Sequence, residues 1–351
     1  MNIDWLLDRG LLPHAVIRLG IRRQLAQRLS EISSCSLAAA YERKTRYVEH
    51  LRARPVTANA QHYEVGTGVL VGMLGPRMKY SSSLYLSGGE ETLARAEIAM
   101  LELYVARAEI RDGMRILDLG CGWGSGALYF AQMFPKSEIT AFSNSRTQKE
   151  YIDGKAREKG LMNLTVITGD IVDYEFEKES FDRVVSIEHA LISRAFKFFE
   201  HMKNYEQLMA KISRALRPRG KLFVHLFAHK DTPYDFEEGW MTTHFFTGGT
   251  MPSADLLLYF QKDLHIEKQW WVNGNNYSKM CEATRAKKHW LSNMIANKEQ
   301  IWPHLEETYG ADNANTWYNR WQIFYMACSE LFAYEAGDTW GVAHYLFQKP
   351  E

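Results

Sequence analysis

The chain has 351 residues, room for one large domain or two intimate ones. Its 42 Lys+Arg cancel its 42 Asp+Glu, so no overall field gathers phosphate or anionic lipid, and no local basic stripe replaces one. With 46% hydrophobic and 24% charged residues, and no uncharged apolar run near the roughly 18 residues of a membrane span, we expect neither disorder, nor stable membrane insertion, nor a nucleic-acid role.

Residues 3–54 carry apolar positions at helical intervals (Leu11, Val16, Ile17, Ile21, Leu25, Leu29), which predicts two or three amphipathic helices ahead of the main domain. Arg and Asp interrupt the first of them, unlike the apolar core of a signal peptide. Cys35, Cys121, Cys281 and Cys328 show neither CxxC pairing nor the spacing of a disulfide framework. A cytoplasmic protein with reduced thiols and no bound metal is expected. From Pro55 to Glu91 the pattern loosens into Gly, Ser and Tyr, loop chemistry of a length that is usually functional in compact proteins.

A helix over Thr92–Ala108 leads into a regular alternation. It runs strand Arg115–Leu119, helix Ser125–Phe134, strand Glu138–Phe142, helix Arg146–Lys159, strand Leu164–Thr168, strand Arg183–Ile187, helix Glu200–Leu216, the turn RPRG and strand Lys221–Phe227. This predicts an α/β fold with a doubly wound, mostly parallel sheet, whose ligand crevice lies outside the carboxyl ends of the strands. Residues 230–300 interrupt the series with an aromatic-rich stretch (Trp240, Phe245, Phe246, Tyr259, Phe260, Trp270, Trp271). A helical run follows to about Phe332, and GVAHYLFQK closes the chain as a final strand.

The most informative segment is MRILDLGCGWGSGALYF, where an apolar strand runs into Gly120, Gly122 and Gly124 and straight into a helix. Glycines at such a turn let backbone approach a ligand that the helix N-terminus meets with free N–H groups. A dinucleotide fingerprint would place its third Gly where Ser125 stands, so the spacing here is GxGxG. The pattern D-x-G-x-G-x-G resembles motif I of the class I S-adenosylmethionine-dependent methyltransferases. The resemblance implies a Rossmann-like methyltransferase fold and S-adenosyl-L-methionine as cofactor, with Asp118 and the glycines around its methionine end. The second strand lacks the acidic residue that usually holds the ribose hydroxyls; Ser143, Asn144 and Gln148 stand there, and an amide both donates and accepts. The third strand ends in Gly169-Asp170. Asp170 either meets the exocyclic amino group of adenine or caps the turn that follows.

SNSRTQKEY, FEHMKNYEQLMAKIS, LFVHLFAHK, FFTGGTMPSADLLLYFQ and GDTWGVAHYLFQK are similar to the plant coclaurine N-methyltransferase group of the cyclopropane-fatty-acid-synthase-like superfamily, over nearly the whole chain. The resemblance implies that Tyr80-Ser81, in KYSSSLY, touches the cofactor; the other reading of that loop is a surface connection. It also implies that Glu188, Glu200 and His201, in SIEHALISRAFKFFEHMKNY, lie near the substrate amine. An extra segment near His189–Phe198 separates Glu188 from Glu200-His201, which leaves their mutual geometry open. Glu200 has a second reading as a negative charge on a helix N-terminus.

The implied activity is methyl transfer to the amine of a small molecule, alkaloid-like or another alkylamine, with Glu200 or His201 taking the amine proton. Rings between Trp240 and Trp271 would suit an ammonium, or are ordinary core. Two alternatives stand beside it. Lipid-modifying enzymes of the cyclopropane synthase type resemble the chain around FEH but hold bicarbonate with Cys, Glu, His and Tyr. Here Ser82 falls at the Cys position and Ile323 and Phe324 at that of the Tyr, which disfavours bicarbonate. The second alternative is a cofactor-binding protein whose extra segment has disabled the acceptor site. The expected organisation is a helical extension and cofactor-covering loop over 1–91, a cofactor-binding core over 92–229, a substrate cap over 230–338 and the last core strand over 339–351.

Overall fold

Strand β1 (Arg115–Leu119) is buried along four of its residues, as a central parallel strand must be when helices cover both faces. The computed structural model, which describes residues 3–33, 36–53, 66–86, 91–187, 204–246, 249–282 and 289–351, builds its sheet outward from this strand. On one side lie β2 (Glu138–Ser143) and β3 (Leu164–Thr168), and on the other β4 (Phe181–Ile187) and β5 (Leu216–His229), all parallel. β9 (Trp340–Gln348) runs antiparallel to β5, and β8 (His265–Val272) antiparallel to β9, giving the order β3-β2-β1-β4-β5-β9-β8. β6 (Tyr234–Asp235) and β7 (Thr250–Met251) pair separately. The winding direction reverses between β1 and β4, which puts the ligand crevice at their carboxyl ends.

Period-two alternation distributes the strand side chains between two cores. Ile116, Val185, Ile187, Phe223 and Phe227 pack on one face, and Leu117, Leu119, Val184, Leu222 and Val224 on the other. The flanking helices begin where caps stand. Thr92 accepts from the Arg95 N–H ahead of α5 (Leu93–Arg107), Ser145 from the Gln148 N–H ahead of α7 (Arg146–Glu158), and Asn204 from the Gln207 N–H ahead of α8 (Tyr205–Ala215). α6 (Ser125–Met133) follows the glycine turn.

The structure departs from expectation in three places. α4 (Thr67–Met73) lies in the stretch read as loop, because Val69, Leu70 and Met73 bury themselves and bare Gly72 lets Ile301 approach; a Cβ there would stand 2.3 Å from the Ile301 Cγ1. Packing overrides the poor helix propensity of its glycines. β8 lies inside the aromatic stretch, mostly exposed as an edge strand, so its apolar signal is thin. RPRG, expected as a turn, belongs to β5 and is absorbed as a register shift against Phe181–Arg183.

Three helices, α1 (Ile3–Asp8), α2 (His14–Ser33) and α3 (Leu37–Ala53), form the described part of the N-terminal extension. The C-terminal helical run comprises α9 (Asn275–Cys281), α10 (Trp290–Ala296), α11 (Lys298–Tyr309) and α12 (Ala311–Ala333). No helix among the described residues is long and apolar enough to cross a membrane. Ion pairs fasten the extension to α12 and to the end of α9: Arg320 holds Asp8 at 2.6 Å, Arg18 reaches Glu330 at 2.8 Å and Glu282, just past α9, at 2.6 Å, and Arg22 reaches Glu330 at 2.5 Å. Burial alone would raise the Glu330 carboxyl, but the hydrogen bonds and charges of Arg22 and Arg18 outweigh it and hold the group below its ordinary range. A carboxyl depressed in the folded state contributes stability above its unfolded pKa and loses it as pH falls through the folded one. Glu330→Gln is therefore expected to lower Tm by several degrees near neutral pH, with the gap to the parent closing below about pH 4. Calorimetric scans at both pH values check this, and equal melting near neutrality would reduce these bridges to surface pairs.

Candidate cofactor and acceptor site

The chain leaves β1 through backbone that suits glycine, with φ of 81° at Gly120, 52° at Gly122 and 77° at Gly124. The N–H groups of Gly120 and Cys121 both donate to the Phe142 carbonyl at 3.0 Å, tying the turn to β2. Gly124 caps α6 in the left-handed conformation, and a Cβ on it would stand 2.7 Å from Ile152. A Cβ on Gly126 would come within 2.9 Å of the Asp118 carboxylate.

At the carboxyl ends of β1 and β4 this turn borders a small concavity. Asp118, Gly120, Cys121, Ser125 and Gly126 line one side, Ile187 the end of β4, Lys79, Tyr80 and Ser81 a loop before α5, and Leu101 and Tyr104 α5 itself. Expected residues Tyr80, Ser81, Asp118 and Gly120 thus come together, whereas Gly122 and Gly124 shape the turn beside them. Burial pushes the Asp118 carboxyl up to about 7 against the hydrogen bond from the Ala127 N–H. Its Oδ2 and the Ser125 Oγ have no hydrogen-bond partner among the described residues. Buried polar atoms are normally paired, so orphaned ones beside a Cβ-free turn suit a ligand with an amino-acid end. The residues present fit S-adenosyl-L-methionine.

At the end of β2, the buried Ser143 hydroxyl donates to the Gln148 amide oxygen at 2.8 Å and accepts from the Ser145 N–H at 3.0 Å. These two side chains satisfy each other, while the Asn144 Oδ1 has no hydrogen-bond partner among the described residues. Exposed Asp170 accepts from the Val172 N–H at 2.8 Å, so one carboxylate oxygen caps the turn. Glu188, Glu200 and His201 lie outside the described residues. Ser82 is buried and donates to the Ser83 carbonyl at 3.2 Å, and Ile323 and Phe324 are buried on α12.

The rings between Trp240 and Trp271 do not gather at the concavity. Phe245 packs on Trp317, Trp321 and Phe324 with centroids 5.9, 5.6 and 4.8 Å away, and Phe260 on Tyr205 at 5.2 Å. Trp270 lies on β8 beneath the Arg107 guanidinium at 4.8 Å, and the Phe246 side chain falls outside the description. The aromatic wall that does reach the concavity begins with Tyr80, backed by Trp290 at 5.4 Å, which meets Tyr325 at 5.7 Å and Tyr277 at 6.4 Å. Sequence reasoning missed these partners of Tyr80, and also Lys79 and Tyr104. For Lys79 no local signal stood out, because Arg77 two residues earlier makes the segment read as a charged loop.

The family model described as mycolic acid cyclopropane synthetase matches residues 50–342. The chain is 36% identical to (S)-coclaurine N-methyltransferase of Papaver somniferum, over 98% of this chain and 96% of that one. It is 34% identical to pavine N-methyltransferase of Thalictrum flavum subsp. glaucum, over 84% of this chain and 80% of that one. A crystal structure of coclaurine N-methyltransferase bound to N-methylheliamine and S-adenosylhomocysteine superposes with a TM-score of 0.87 at 33% identity, covering 99% of this chain and 98% of that one.

Proposed function

The chain belongs to the mycolic acid cyclopropane synthetase family and, within it, to the coclaurine-type N-methyltransferases, and from that premise we propose that its acceptor is the amine of an alkaloid-like small molecule. The activity itself is S-adenosylmethionine-dependent N-methylation. The cofactor supplies a methyl group on a sulfonium, to be taken by a nucleophile in line with it. In our reading Ser81, Asp118 and the Gly120–Gly124 turn hold its amino-acid end, Tyr80 lies against it, Ser143, Asn144 and Gln148 form the ribose side with Asn144 making the contact, and Asp170 meets the adenine amino group. An alkylamine is mostly protonated near neutral pH, so Glu200 or His201, with Glu188 in the same set, takes a proton from nitrogen before it can attack.

The observation that carries the acceptor class is the Tyr80 ring, which lines the concavity beside Gly120 and is backed by the buried rings of Trp290, Tyr277 and Tyr325. Aromatic faces attract an ammonium before the reaction and the methylated cation after it, and stack on an aromatic ring of the acceptor. Relatives named for coclaurine and pavine support the same class. Ser82 and the Ile323-Phe324 pair, in place of Cys and Tyr, weigh against a bicarbonate-assisted lipid reaction. The buried free thiols Cys121, Cys281 and Cys328 suit a reducing, cytoplasmic setting. A panel of cyclic secondary amines with and without a fused aromatic ring, matched in pKa, tests the reading. We expect kcat/KM at least about tenfold higher for the aromatic members; equal values would remove the aromatic wall from the account.

A further inference from the structure

We propose that Lys79 is a positioning residue for the cofactor's carboxylate: it holds the Ser81 hydroxyl so that its hydrogen is free to turn into the concavity, and places a positive charge behind it. This rests on the cofactor occupying the Gly120 concavity as argued above.

Lys79 is 1% exposed and lines the concavity with Ser81, Tyr104 and Asp118. Its ammonium donates to the Ser81 Oγ, to the Ser82 carbonyl at 2.8 Å and to the Tyr104 hydroxyl at 2.9 Å. Its three protons are therefore matched by three oxygens, all of them neutral. A buried cation satisfied in hydrogen bonds but not in charge is costly, and an arriving carboxylate would relieve that cost. Burial pushes Lys79 down to about 7, opposed through space by Glu97. Glu97 is itself buried on α5, pushed up to about 7, with its carboxylate accepting from the Arg77 N–H at 3.1 Å. Because the Ser81 oxygen accepts from Lys79, its own hydrogen is free to turn either to the Tyr104 hydroxyl or into the concavity, and an arriving carboxylate selects the second.

What holds Lys79 is a buried chain that runs between α5 and the sheet face it covers. The Tyr104 hydroxyl stands 3.0 Å from the His225 Nδ1, and that nitrogen stands 2.9 Å from the His344 Nε2. The two histidines are directly opposed across β5 and β9. Arg107 closes the chain, 2.7 Å from the His344 Nδ1. A guanidinium can only donate, so the His344 Nδ1 accepts and its Nε2–H donates to His225. Burial keeps His344 well below and Tyr104 well above their ordinary values, so both stay neutral. Charge resides at the two ends, Lys79 and Arg107.

The groups facing Lys79 that titrate in the same range are Glu97 from α5 and Asp118 from β1, both near 7. Once ionised, both repel a ligand carboxylate, so the parent's pH dependence sums three groups and only the comparison with a Lys79 variant isolates the ammonium. The test therefore compares S-adenosylhomocysteine with its decarboxylated analogue by calorimetry on the full chain. The parent should favour the carboxylate-bearing ligand at least about tenfold near pH 6.5, and the preference should shrink above about pH 7 as Lys79 deprotonates and the two carboxyls ionise. Lys79→Met should lose the preference near pH 6.5, with the decarboxylated ligand held as in the parent. Equal weakening of both ligands would reduce Lys79 to scaffolding, and an unchanged preference would end its role; either result overturns the proposal. Should Lys79→Met fail to fold, Lys79→Gln, which keeps a hydrogen-bond donor but no charge, is read in the same way. Gly120→Val serves as control: if it leaves both affinities intact, the cofactor lies elsewhere and the concavity reading is what has failed.

Discussion

Glu200→Gln combined with His201→Ala is expected to lower turnover of a secondary amine by roughly 10²–10⁴, the range typical of losing a general base, while S-adenosylhomocysteine affinity changes by less than about twofold. The amide keeps the size of the carboxylate and part of its hydrogen bonding but removes both the base and the negative charge. At saturating cofactor the parent rate should rise with pH until the base is deprotonated. In the double variant the rise should move to the pKa of the amine itself, because nitrogen must then lose its proton to solvent. A double variant that methylates at the parent rate with the parent pH profile would hand the proton to Glu188 or to water.

Gly120→Val should produce the opposite pattern, with cofactor affinity falling more than about 100-fold, equivalent to nearly 3 kcal/mol, in a chain that remains folded. Gly120 lines the concavity, so a branched side chain there fills space the cofactor needs. Its φ of 81° also lies where an L side chain is strained, at about 1–2 kcal/mol. That is small against the roughly 5–15 kcal/mol of a typical domain, so Tm falls without loss of the fold. Calorimetry with S-adenosylhomocysteine beside a thermal scan separates the two effects. Affinity within a few fold of the parent, on a chain that still melts cooperatively, would move the cofactor away from this turn.

The parts of the molecule that sequence made legible are those where one local signal carries the structure. β1, central in the sheet, and β3, at its edge, occupy the residues expected of them, because each is a short run rich in apolar or β-branched residues ended by glycine. α5 starts at the Thr92 cap and α7 at the Ser145 cap. Asp118 and Gly120 were readable because their spacing belongs to one strand and one turn. The cluster of Tyr80, Tyr277, Trp290 and Tyr325 was not, because it joins a loop to three helices distant in the chain, and nothing local marks Tyr80 as lining a site while the rings behind it fill the core. Lys79 was missed for another reason: lysine is among the residues least often buried, so composition argues for an exposed loop where the structure has a buried ammonium. β8 escaped because an edge strand keeps few apolar residues, and the two tryptophans in it read as a cap.

The central claim is that this chain passes an intact methyl group to nitrogen. The direct measurement mixes the protein with S-adenosylmethionine carrying a trideuterated methyl, a cyclic secondary amine with a fused aromatic ring, and vesicles of unsaturated phospholipid, and reads both acceptors by mass spectrometry. The account predicts an amine that gains the methyl with all its deuterium retained, and an unlabelled lipid. A lipid that gains a methylene having lost one deuterium, beside an unchanged amine, would contradict it and make the chain a lipid-modifying member of its family.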